Sequence, residues 1–419
     1  MLKKTCLFFS IIYSLIWIMA TPFIFFSRRL KPGFKQRLGR NLPSGPFDIW
    51  IQAASVGECK LAVMLAESIL SEKKSNMIIS TCTKQGFDML QKEIGNENIK
   101  TIYFPFDAPC IIQRAANKIN PKKMVLLETE IWPGLMAACQ KKNIPVIIAN
   151  ARMSTKSYSR YLPLRSLLQK FSPQTIVCVS EQDARRYRDI FPSALIIESS
   201  NMKFDALDAQ ESIPFIHNPL AEIFGPGPYL FTLASVREQE EKHIQKIIQK
   251  LLERHPKAII ALFPRHMHRI NAWEDFLSKN NIPYSLRSTL EEKTSAGTVI
   301  LWDRFGELQY AYALSRAAYV GGSLVPCGGQ NFLEAVQQGL VPCIGPHWSN
   351  FAWAGREILD KGLVREVHDP ALIPECLDSN PPSNRETVRK KFKDYIEAHK
   401  GATRTNQDAI TNNKYMPPA

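Results

Sequence analysis

From Phe47 onward, short apolar runs alternate with longer stretches in which apolar residues recur every three or four positions. Continuous short runs are typical of buried strands, and the longer periodicity is typical of helices with one buried face. Their alternation predicts βαβ units and therefore an α/β protein with doubly wound parallel sheets. The strands predicted in the first half of the chain are residues 49–54, 77–81, 101–104, 124–127, 146–149, 175–179 and 195–197.

The alternation stops between Asp205 and Pro228, a stretch that collects Pro214, Pro219, Pro226 and Pro228. A proline-rich break of this kind predicts a linker between domains. A second series of predicted strands follows at residues 229–233, 258–263, 299–301, 318–320 and 341–344. We therefore expect two Rossmann-like domains, residues 31–205 and 229–404, joined by a linker at 206–228 and followed by a polar tail at 405–419.

The amino-terminal segment differs from the rest of the chain. Thr5 to Ser27 is an uncharged stretch of 23 residues, close to the length that spans a bilayer. It stops against six basic residues, a pattern that favours a retained membrane anchor at residues 1–30 over a cleaved signal peptide. The excess of basic residues after the segment predicts that the remaining chain lies on the cytoplasmic side and contacts an anionic membrane surface. Pro22 leaves open whether the segment crosses the bilayer or lies at its interface.

Composition narrows the class of ligand. The net charge of +14 predicts attraction to anions such as phosphorylated lipid, nucleic acid or anionic substrates. The nine cysteines are an odd number and include no C-x-x-C pair, so we predict neither a disulfide framework nor a zinc site. The same cysteine pattern predicts that the protein works in a reducing compartment. His266 and His268 have no carboxylate or cysteine at ligand spacing, so no metal site is predicted.

Ligands of open parallel sheets bind beyond the carboxyl ends of the strands, so the residues that follow predicted strands are the candidates for chemistry. Glu58 follows the first strand at the start of a helix, where its carboxylate suits the removal of a proton from a hydroxyl. The alternative is a carboxylate that only stabilises the first helical turn, and this element alone favours that alternative.

Further charged side chains follow later strands of the first half. Glu128 and Glu130 follow the fourth predicted strand, and Arg152 follows the fifth. These residues are expected at one edge of the sheet, with surface ion pairing as the alternative. Lys203 closes the first domain and suits either contact with a phosphate or exposure to solvent.

In the second half, Arg237 and Arg265 follow successive predicted strands, and the planar donor fork of arginine suits a phosphate. Two glycine pairs, at 321–322 and 328–329, precede a predicted helix that begins near Asn331. Glycines let the backbone approach a ligand, and a helix start offers free N–H groups to a phosphate. Glu334 can accept hydrogen bonds from both ribose hydroxyls. The combination indicates a nucleotide-linked donor, and the P-loop pattern is absent from the sequence.

In this order, the motifs resemble those of the 3-deoxy-D-manno-oct-2-ulosonic acid (Kdo) transferases. The motifs that carry the resemblance are residues 54–58, 128–133, 150–152, 203–205, 264–266, 306–308 and 320–334. The resemblance covers nearly the whole chain, including the predicted anchor. It implies the GT-B glycosyltransferase fold, in which two Rossmann-like domains face a cleft.

The resemblance also implies an activity. Such an enzyme transfers one or more Kdo residues from CMP-Kdo to a lipid A precursor, lipid IVA, with inversion and without a cofactor, a bound metal or nucleic acid. The reaction belongs to lipopolysaccharide core biosynthesis and takes place at the cytoplasmic face of the inner membrane. Two alternatives remain open. They are a GT-B glycosyltransferase that uses a UDP-sugar and a non-catalytic membrane-surface binding protein.

The resemblance carries roles over to particular residues. Glu58 would be the general base, and Glu128 and Lys203 would stabilise the transition state. The residues that would hold CMP are Pro264, Arg265, Phe305, Gly306, Glu307, Asn331, Phe332, Leu333 and Glu334. Two departures lie next to these positions, since Gln330 replaces a histidine common in relatives and residues 199–202 lack the usual glycine.

Overall fold

The computed structural model describes residues 2–207, 213–291, 293–379 and 385–412, with side chains of the first helix described from Tyr13 onward. The chain forms two compact units. The first unit contains the chain up to Ala206 together with the segment that begins at His399, and the second unit runs from Leu207 to Ala398. Each unit is built around its own parallel sheet, which confirms the predicted pair of α/β domains.

The sheet of the first unit has seven parallel strands in the order β3-β2-β1-β4-β5-β6-β7. Their bounds are β1 Phe47–Ala53, β2 Met77–Thr81, β3 Ile99–Tyr103, β4 Pro121–Leu127, β5 Val146–Ala151, β6 Thr175–Cys178 and β7 Leu195–Glu198. The strand order reverses between β1 and β4, which are hydrogen-bonded neighbours. Loops that follow strands at such a reversal diverge and leave a crevice for a ligand.

Helices cover both faces of this sheet. Their bounds are α1 Leu2–Phe26, α2 Phe34–Arg37, α3 Val56–Glu72, α4 Lys84–Glu93, α5 Pro109–Ile119, α6 Pro133–Lys141, α7 Thr155–Tyr161, α8 Arg165–Leu168 and α9 Glu181–Ile190. Successive side chains of a strand point to opposite faces. Trp50 of β1 therefore packs in one apolar cluster, while its neighbours Ile49 and Ile51 pack in another cluster with α3. Because both faces are buried, the strands read as nearly continuous apolar runs.

The second unit repeats this arrangement with the order β10-β11-β9-β8-β12-β13-β14. The strands are β8 Leu230–Val236, β9 Ile259–Pro264, β10 Tyr284–Leu286, β11 Val299–Leu301, β12 Ala317–Val320, β13 Cys343–Ile344 and β14 Arg365–Glu366. Its reversal lies between β8 and β12, which pair directly. The helices are α10 Ala221–Phe224, α11 Glu241–Arg254, α12 Ile270–Lys279, α13 Leu308–Leu314, α14 Leu333–Gln337, α15 Glu357–Asp360, α16 Ile373–Asp378 and α17 Arg385–His399.

The prediction of a polar tail at residues 405–419 is wrong for residues 405–412, the part that the structure describes. Residues Ala402–Thr411 form a helix, α18, and Ala402 and Ile410 join the apolar cluster that contains α3. Asp205 accepts hydrogen bonds from the backbone N–H groups of Gly401 (2.7 Å) and Thr403 (2.5 Å) at the start of this helix. The second domain therefore ends at Ala398 rather than at residue 404, and residues 413–419 of the predicted tail lie outside the described residues.

The cysteines correct a second expectation. Cys343 of β13 and Cys376 of α16 form a disulfide with a Cα–Cα distance of 6.7 Å. The sequence held no signal for this pair, because the fold brings together two cysteines that are 33 residues apart. The other described cysteines are free, and Cys59, Cys139 and Cys178 are buried as expected of small apolar residues.

Helix α1 packs on the first unit through one side. Tyr13 Oη donates a hydrogen bond of 2.8 Å to Asp107, and the ring of Trp17 lies 5.8 Å from that of Phe106. Phe23 and Phe26 are 79% and 86% exposed. Within the described part of the chain, no helix has both the length and the hydropathy needed to cross a membrane. The membrane anchor at residues 1–30 stays a prediction.

Candidate active site

Glu58 lies in the first turn of α3, directly after β1. Ser55 caps this helix, since its Oγ accepts a hydrogen bond of 3.3 Å from the Glu58 N–H. The carboxylate in turn accepts hydrogen bonds from the Ala54 N–H (2.7 Å) and from Ser55 Oγ (2.9 Å). The alternative role predicted for Glu58, stabilisation of the first helical turn, is therefore present in the structure. It does not exclude chemistry, because each carboxylate oxygen accepts a second hydrogen bond.

The surroundings of Glu58 make its carboxylate more basic. Burial raises the pKa of Glu58 above its ordinary value, whereas the bonds from Ala54 and Ser55 pull it back. Among the charged neighbours, Glu128 raises this pKa and Arg152 lowers it. The loops after β1, β4 and β5 thus bring three charged side chains within interaction distance, as their positions at strand ends predicted.

Glu128 follows β4, and its negative charge is balanced by two cationic side chains. It is 5% exposed and has a backbone φ of 56°, an uncommon left-handed conformation for a residue with a side chain. One oxygen lies 3.0 Å from Lys203 Nζ and the other lies 2.8 Å from Arg152 Nε. Glu128 and Lys203, to which the resemblance assigned the same role, are therefore in direct contact, and Arg152 contacts the same carboxylate.

A set of asparagines positions Lys203. The side-chain oxygen of Asn150 accepts a hydrogen bond of 2.8 Å from the Met202 N–H, and that of Asn201 accepts one of 3.0 Å from the Lys203 N–H. The Asn150 N–H donates to the side chain of Asn406 in α18 at 2.8 Å. These asparagines are nearly fully buried, so their hydrogen bonds fix the backbone that carries Lys203. That these asparagines position Lys203 was not predicted from the sequence.

Glu130 adds a third carboxyl group. Its side chain accepts a hydrogen bond of 2.5 Å from the indole N–H of Trp132. Burial, followed by the negative charge of Glu58, raises the pKa of Glu130 to about 7. The position of Glu130 after β4 predicted its place at this sheet edge but no role, and its pKa could not be read from the sequence because it depends on burial.

In the second unit, several residues predicted to hold a nucleotide line one cavity of about 500 Å³. Its lining residues are Gly306, Leu308, Gln309, Asn331, Glu334, Gln337 and Gln338. Glu334 accepts a hydrogen bond of 2.7 Å from the Asn331 amide, and burial raises the pKa of its carboxyl group. The loops that follow β11 and β12 are therefore brought together around a space that suits a small polar ligand.

Other residues predicted to contact CMP face different environments. Both oxygens of Glu307 are bound by Arg287, at 2.8 and 3.0 Å, and one also accepts from the Trp302 indole at 2.9 Å. Phe332 and Leu333 are almost fully buried, so they offer a ligand only their backbone. Phe305 is 76% exposed and its ring is accessible to a planar ligand. Their roles in CMP binding stay predictions.

Arg265 lies directly after Pro264, the last residue of β9. Its side chain is exposed, and its Nε donates a hydrogen bond of 3.0 Å to Gln330. The Gln330 N–H bonds to the Gly321 carbonyl at 3.0 Å, so the glycine-rich loop is held against the end of β12. A Cβ atom at Gly321 would lie 2.4 Å from a Glu240 oxygen, which explains why glycine stands there. No group of three or more potential metal ligands occurs among the described residues.

Comparisons with known proteins agree with this arrangement. Residues 32–206 match the profile of the family described as 3-deoxy-D-manno-octulosonic-acid transferase (kdotransferase). The 3-deoxy-D-manno-octulosonic acid transferase of Haemophilus influenzae is 32% identical over 394 residues, which cover 90% of this chain and 92% of that protein. The transferase of the same name from Bordetella pertussis is 27% identical over 373 residues, which cover 86% of either chain.

Solved structures support the fold. UDP-GlcNAc 2-epimerase from Neisseria meningitidis, bound to UDP-GlcNAc, matches 87% of this chain and 100% of its own, with a TM-score of 0.56 and 16% identity. Alr3699/HepE of Anabaena, in complex with UDP, matches 88% of this chain with the same TM-score and 10% identity. At such identities the likeness concerns the fold alone, and it agrees with two parallel-sheet α/β domains that resemble those of GT-B glycosyltransferases.

Proposed function

The chain belongs to the 3-deoxy-D-manno-octulosonic acid transferase family, and we propose that it transfers Kdo from CMP-Kdo to a lipid A precursor. The observation that carries the proposal is the contact of Glu128 with Lys203 and Arg152 beside a Glu58 carboxylate of raised pKa. The cavity around Asn331 and Glu334 supports a nucleotide donor in the second unit.

The first unit supplies the base. A carboxylate oxygen of Glu58 takes the proton of an acceptor hydroxyl, and the oxygen so freed attacks the anomeric carbon of Kdo. The bond from that carbon to the CMP phosphate breaks, and its electron pair leaves with the phosphate. Attack opposite to the departing phosphate inverts the anomeric centre. The raised pKa of Glu58 makes its carboxylate a better proton acceptor than an ordinary glutamate near neutral pH.

Stabilisation of the charges that develop in the transition state supplies the rest of the rate enhancement. The sugar gains oxocarbenium character as the bond to CMP breaks, and the phosphate gains negative charge. Fixed charges and N–H groups aimed at developing charge stabilise such a transition state because they need no reorganisation. Glu128 and Lys203, held together at 3.0 Å, serve the sugar end. Arg265 and the backbone of the glycine-rich loop serve the phosphate, and Glu334 with Asn331 binds the ribose.

The test is a transfer assay with the full-length protein in membranes. The protein is incubated with CMP-Kdo and tetraacylated lipid IVA, and mass spectrometry counts the sugars gained by the lipid. We expect the mass of one or more Kdo residues and the release of CMP. Consumption of a UDP-sugar in place of CMP-Kdo would establish the first alternative. Failure to bind any nucleotide would establish a non-catalytic surface protein.

We also propose that residues 1–30 attach the protein to the inner membrane, with both units on the cytoplasmic side. The proposal is supported by the apolar, uncharged segment, the basic residues that follow it and the exposure of Phe23 and Phe26 on α1. It also suits the acceptor, because a lipid A precursor stays in a membrane while its sugar is modified.

A further inference from the structure

Arg237 lies at the reversal of strand order in the second sheet. It is the first residue after β8, and β8 is hydrogen-bonded to β9 on one side and to β12 on the other. The register of β8 and β9 shifts between Leu233 and Val236, and Ser235 has a φ of 52°. Irregularities of this kind redirect the side chains that follow them and are enriched next to active sites.

The side chain of Arg237 lies beside the glycine-rich loop. A Cβ atom at Gly322 would be 3.5 Å from Arg237 Cγ and 3.2 Å from the amide nitrogen of Gln330. The other end of the Gln330 amide accepts the hydrogen bond from Arg265. Burial, followed by the positive charges of Arg237 and Arg265, lowers the pKa of His266, which agrees with two cations in one neighbourhood. Gln330 is also the residue before Asn331, which lines the nucleotide cavity.

The carboxylates nearest to Arg237 in sequence are bound elsewhere. Glu238 and Glu241 pair with Arg269 at 3.1 and 2.6 Å. The buried Glu240 accepts from the Arg237 N–H at 3.0 Å and from the Gly322 N–H at 2.6 Å, and also from the Tyr319 hydroxyl at 2.9 Å. It therefore holds the backbone of Arg237 and not its guanidinium.

The guanidinium of Arg237 is thus not bound by any of these three carboxylates. Its Nε is buried without a hydrogen-bond partner, and the side chain forms no ion pair within residues 213–291, 293–379 and 385–412. A buried donor without an acceptor is costly, and native proteins rarely retain one without a ligand or another function to explain it. Its planar fork of donors and permanent charge suit a phosphate.

We propose that Arg237 binds the phosphate of the nucleotide donor together with Arg265. The two arginines flank Gly322 and Gln330. The proposed ribose site is formed by Asn331 and Glu334, and Asn331 directly follows Gln330. As a second cation, Arg237 compensates the charge that the phosphate gains when the sugar leaves. The inference rests on the proposed function for the identity of the nucleotide.

The test compares CMP with cytidine as ligands of the full-length protein in detergent, by isothermal titration calorimetry. A charge-assisted hydrogen bond is worth about 1.5–3 kcal/mol, so R237Q should weaken CMP binding by about 10- to 100-fold. Cytidine lacks the phosphate, and its dissociation constant should not change. K242Q is the matched control, because it removes one exposed charge from the same unit, and we expect it to bind CMP as the wild type does.

The outcomes separate this inference from the proposed function. If the wild type binds neither CMP nor cytidine, the proposed donor is wrong and the inference falls with it. If the wild type binds CMP and R237Q binds it equally well, Arg237 does not contact the phosphate and the proposed function stands. Equal weakening of CMP and cytidine would mean a structural role only and would overturn the inference.

A second variant covers the case in which R237Q does not fold. R237K keeps the charge but loses the planar fork, so we expect CMP to bind about 3- to 10-fold more weakly and cytidine as before. Wild-type affinity of R237K for both ligands would then overturn the proposed contact.

Discussion

Glu58 uses one carboxylate for two purposes. Its hydrogen bonds with Ala54 and Ser55 close the first turn of α3, and its raised pKa fits the proposed proton transfer. A substitution that preserves the first purpose and removes the second is Glu58→Gln, because its amide oxygen accepts from the Ala54 N–H and its amide NH2 donates to Ser55 Oγ, whereas the amide does not take a proton. Glutamine at this position therefore separates folding from chemistry.

We expect E58Q to bind CMP normally and to lose about 10²- to 10⁴-fold in turnover, the usual contribution of a placed general base. Turnover is measured as Kdo gained by the lipid, and CMP binding by calorimetry. Glu67→Gln is the matched control, since Glu67 is an exposed residue of the same helix. Turnover of E58Q near that of E67Q would remove Glu58 from the mechanism.

The charges around Glu58 predict how the rate depends on pH. The base acts in its ionised form, so the rate should fall as the pH drops through the raised pKa of Glu58, at a higher pH than for an ordinary glutamate. Arg152 lowers this pKa, so Arg152→Gln should move the acidic limb to higher pH. Single-turnover rates at saturating CMP-Kdo measure the limb. Lys156→Gln, an exposed control, should leave it in place, and an R152Q limb at the wild-type pH would contradict the assignment.

At the scale of single residues, the sequence predicted which side chains stand at strand ends but not how they are held. Glu58, Glu128 and Arg152 were accessible to prediction because parallel topology alone brings strand ends to one edge. The partners that position them were not. The hydrogen bond between Asn150 and Asn406 joins residues 256 positions apart, and the one between Glu240 and Gly322 joins residues 82 apart. Contacts of this range depend on the complete fold.

At the scale of elements, α18 is the least expected part of the first unit. Its residues are mainly polar, and its apolar contacts are few, because Ala402, Ala409 and Ile410 carry most of its buried apolar surface. Buried polar contacts do the rest, since Asn406 bonds both the Asn150 N–H and the Ala402 carbonyl. A helix fixed by such contacts does not stand out in a hydrophobic pattern.

Because buried polar contacts hold α18 in place, we can predict the effect of Asn406→Ala. The substitution leaves the buried Asn150 N–H without an acceptor, so the free energy of unfolding should fall by about 1–3 kcal/mol. Asn412→Ala is the control, because Asn412 is exposed at the end of the same helix and its loss should cost within about 0.5 kcal/mol. Urea denaturation of both variants measures the difference, and equal free energies of unfolding would show that the hydrogen bond between Asn150 and Asn406 does not stabilise the protein.

The strands show which elements a pattern predicts well. All twelve predicted strands occur, within three residues of their predicted ends, because each carries an apolar run, which is buried in every one of them except the edge strand β7. The strands β10 and β14 were not predicted. They contain three and two residues, lie at opposite edges of the second sheet and are only partly buried, so their sequences lack the apolar run that marks a central strand.

At the scale of the whole molecule, the proposed attachment to a membrane would draw on both the net charge of +14 and the exposed face of α1. Basic residues are drawn to anionic lipid headgroups, and apolar side chains add affinity when they enter the interface. The two contributions respond differently to salt, because only the first is screened. They can therefore be measured separately in one assay.

We expect the double variant Phe23→Asp with Phe26→Asp to bind phospholipid vesicles at least about tenfold more weakly, since burying one phenylalanine contributes about 1.5–3 kcal/mol. Sedimentation with vesicles that contain anionic phospholipid measures binding, and added salt should weaken the wild type only in part. Ile216→Asp is the control, because Ile216 is 82% exposed in the second unit. Wild-type binding by the double variant would contradict the proposed attachment through α1.

The return of the chain to the first unit has a practical consequence. The polypeptide passes from the first unit to the second after Ala206 and comes back before His399, so the first unit consists of two separate stretches of sequence. A fragment cut at Ala206 would leave the apolar surface that Ala402 and Ile410 cover on α3 open to aggregation. Producing that half alone therefore calls for co-expression of a peptide that carries residues 399–412, or for a circular permutant in which this helix is spliced directly to the rest.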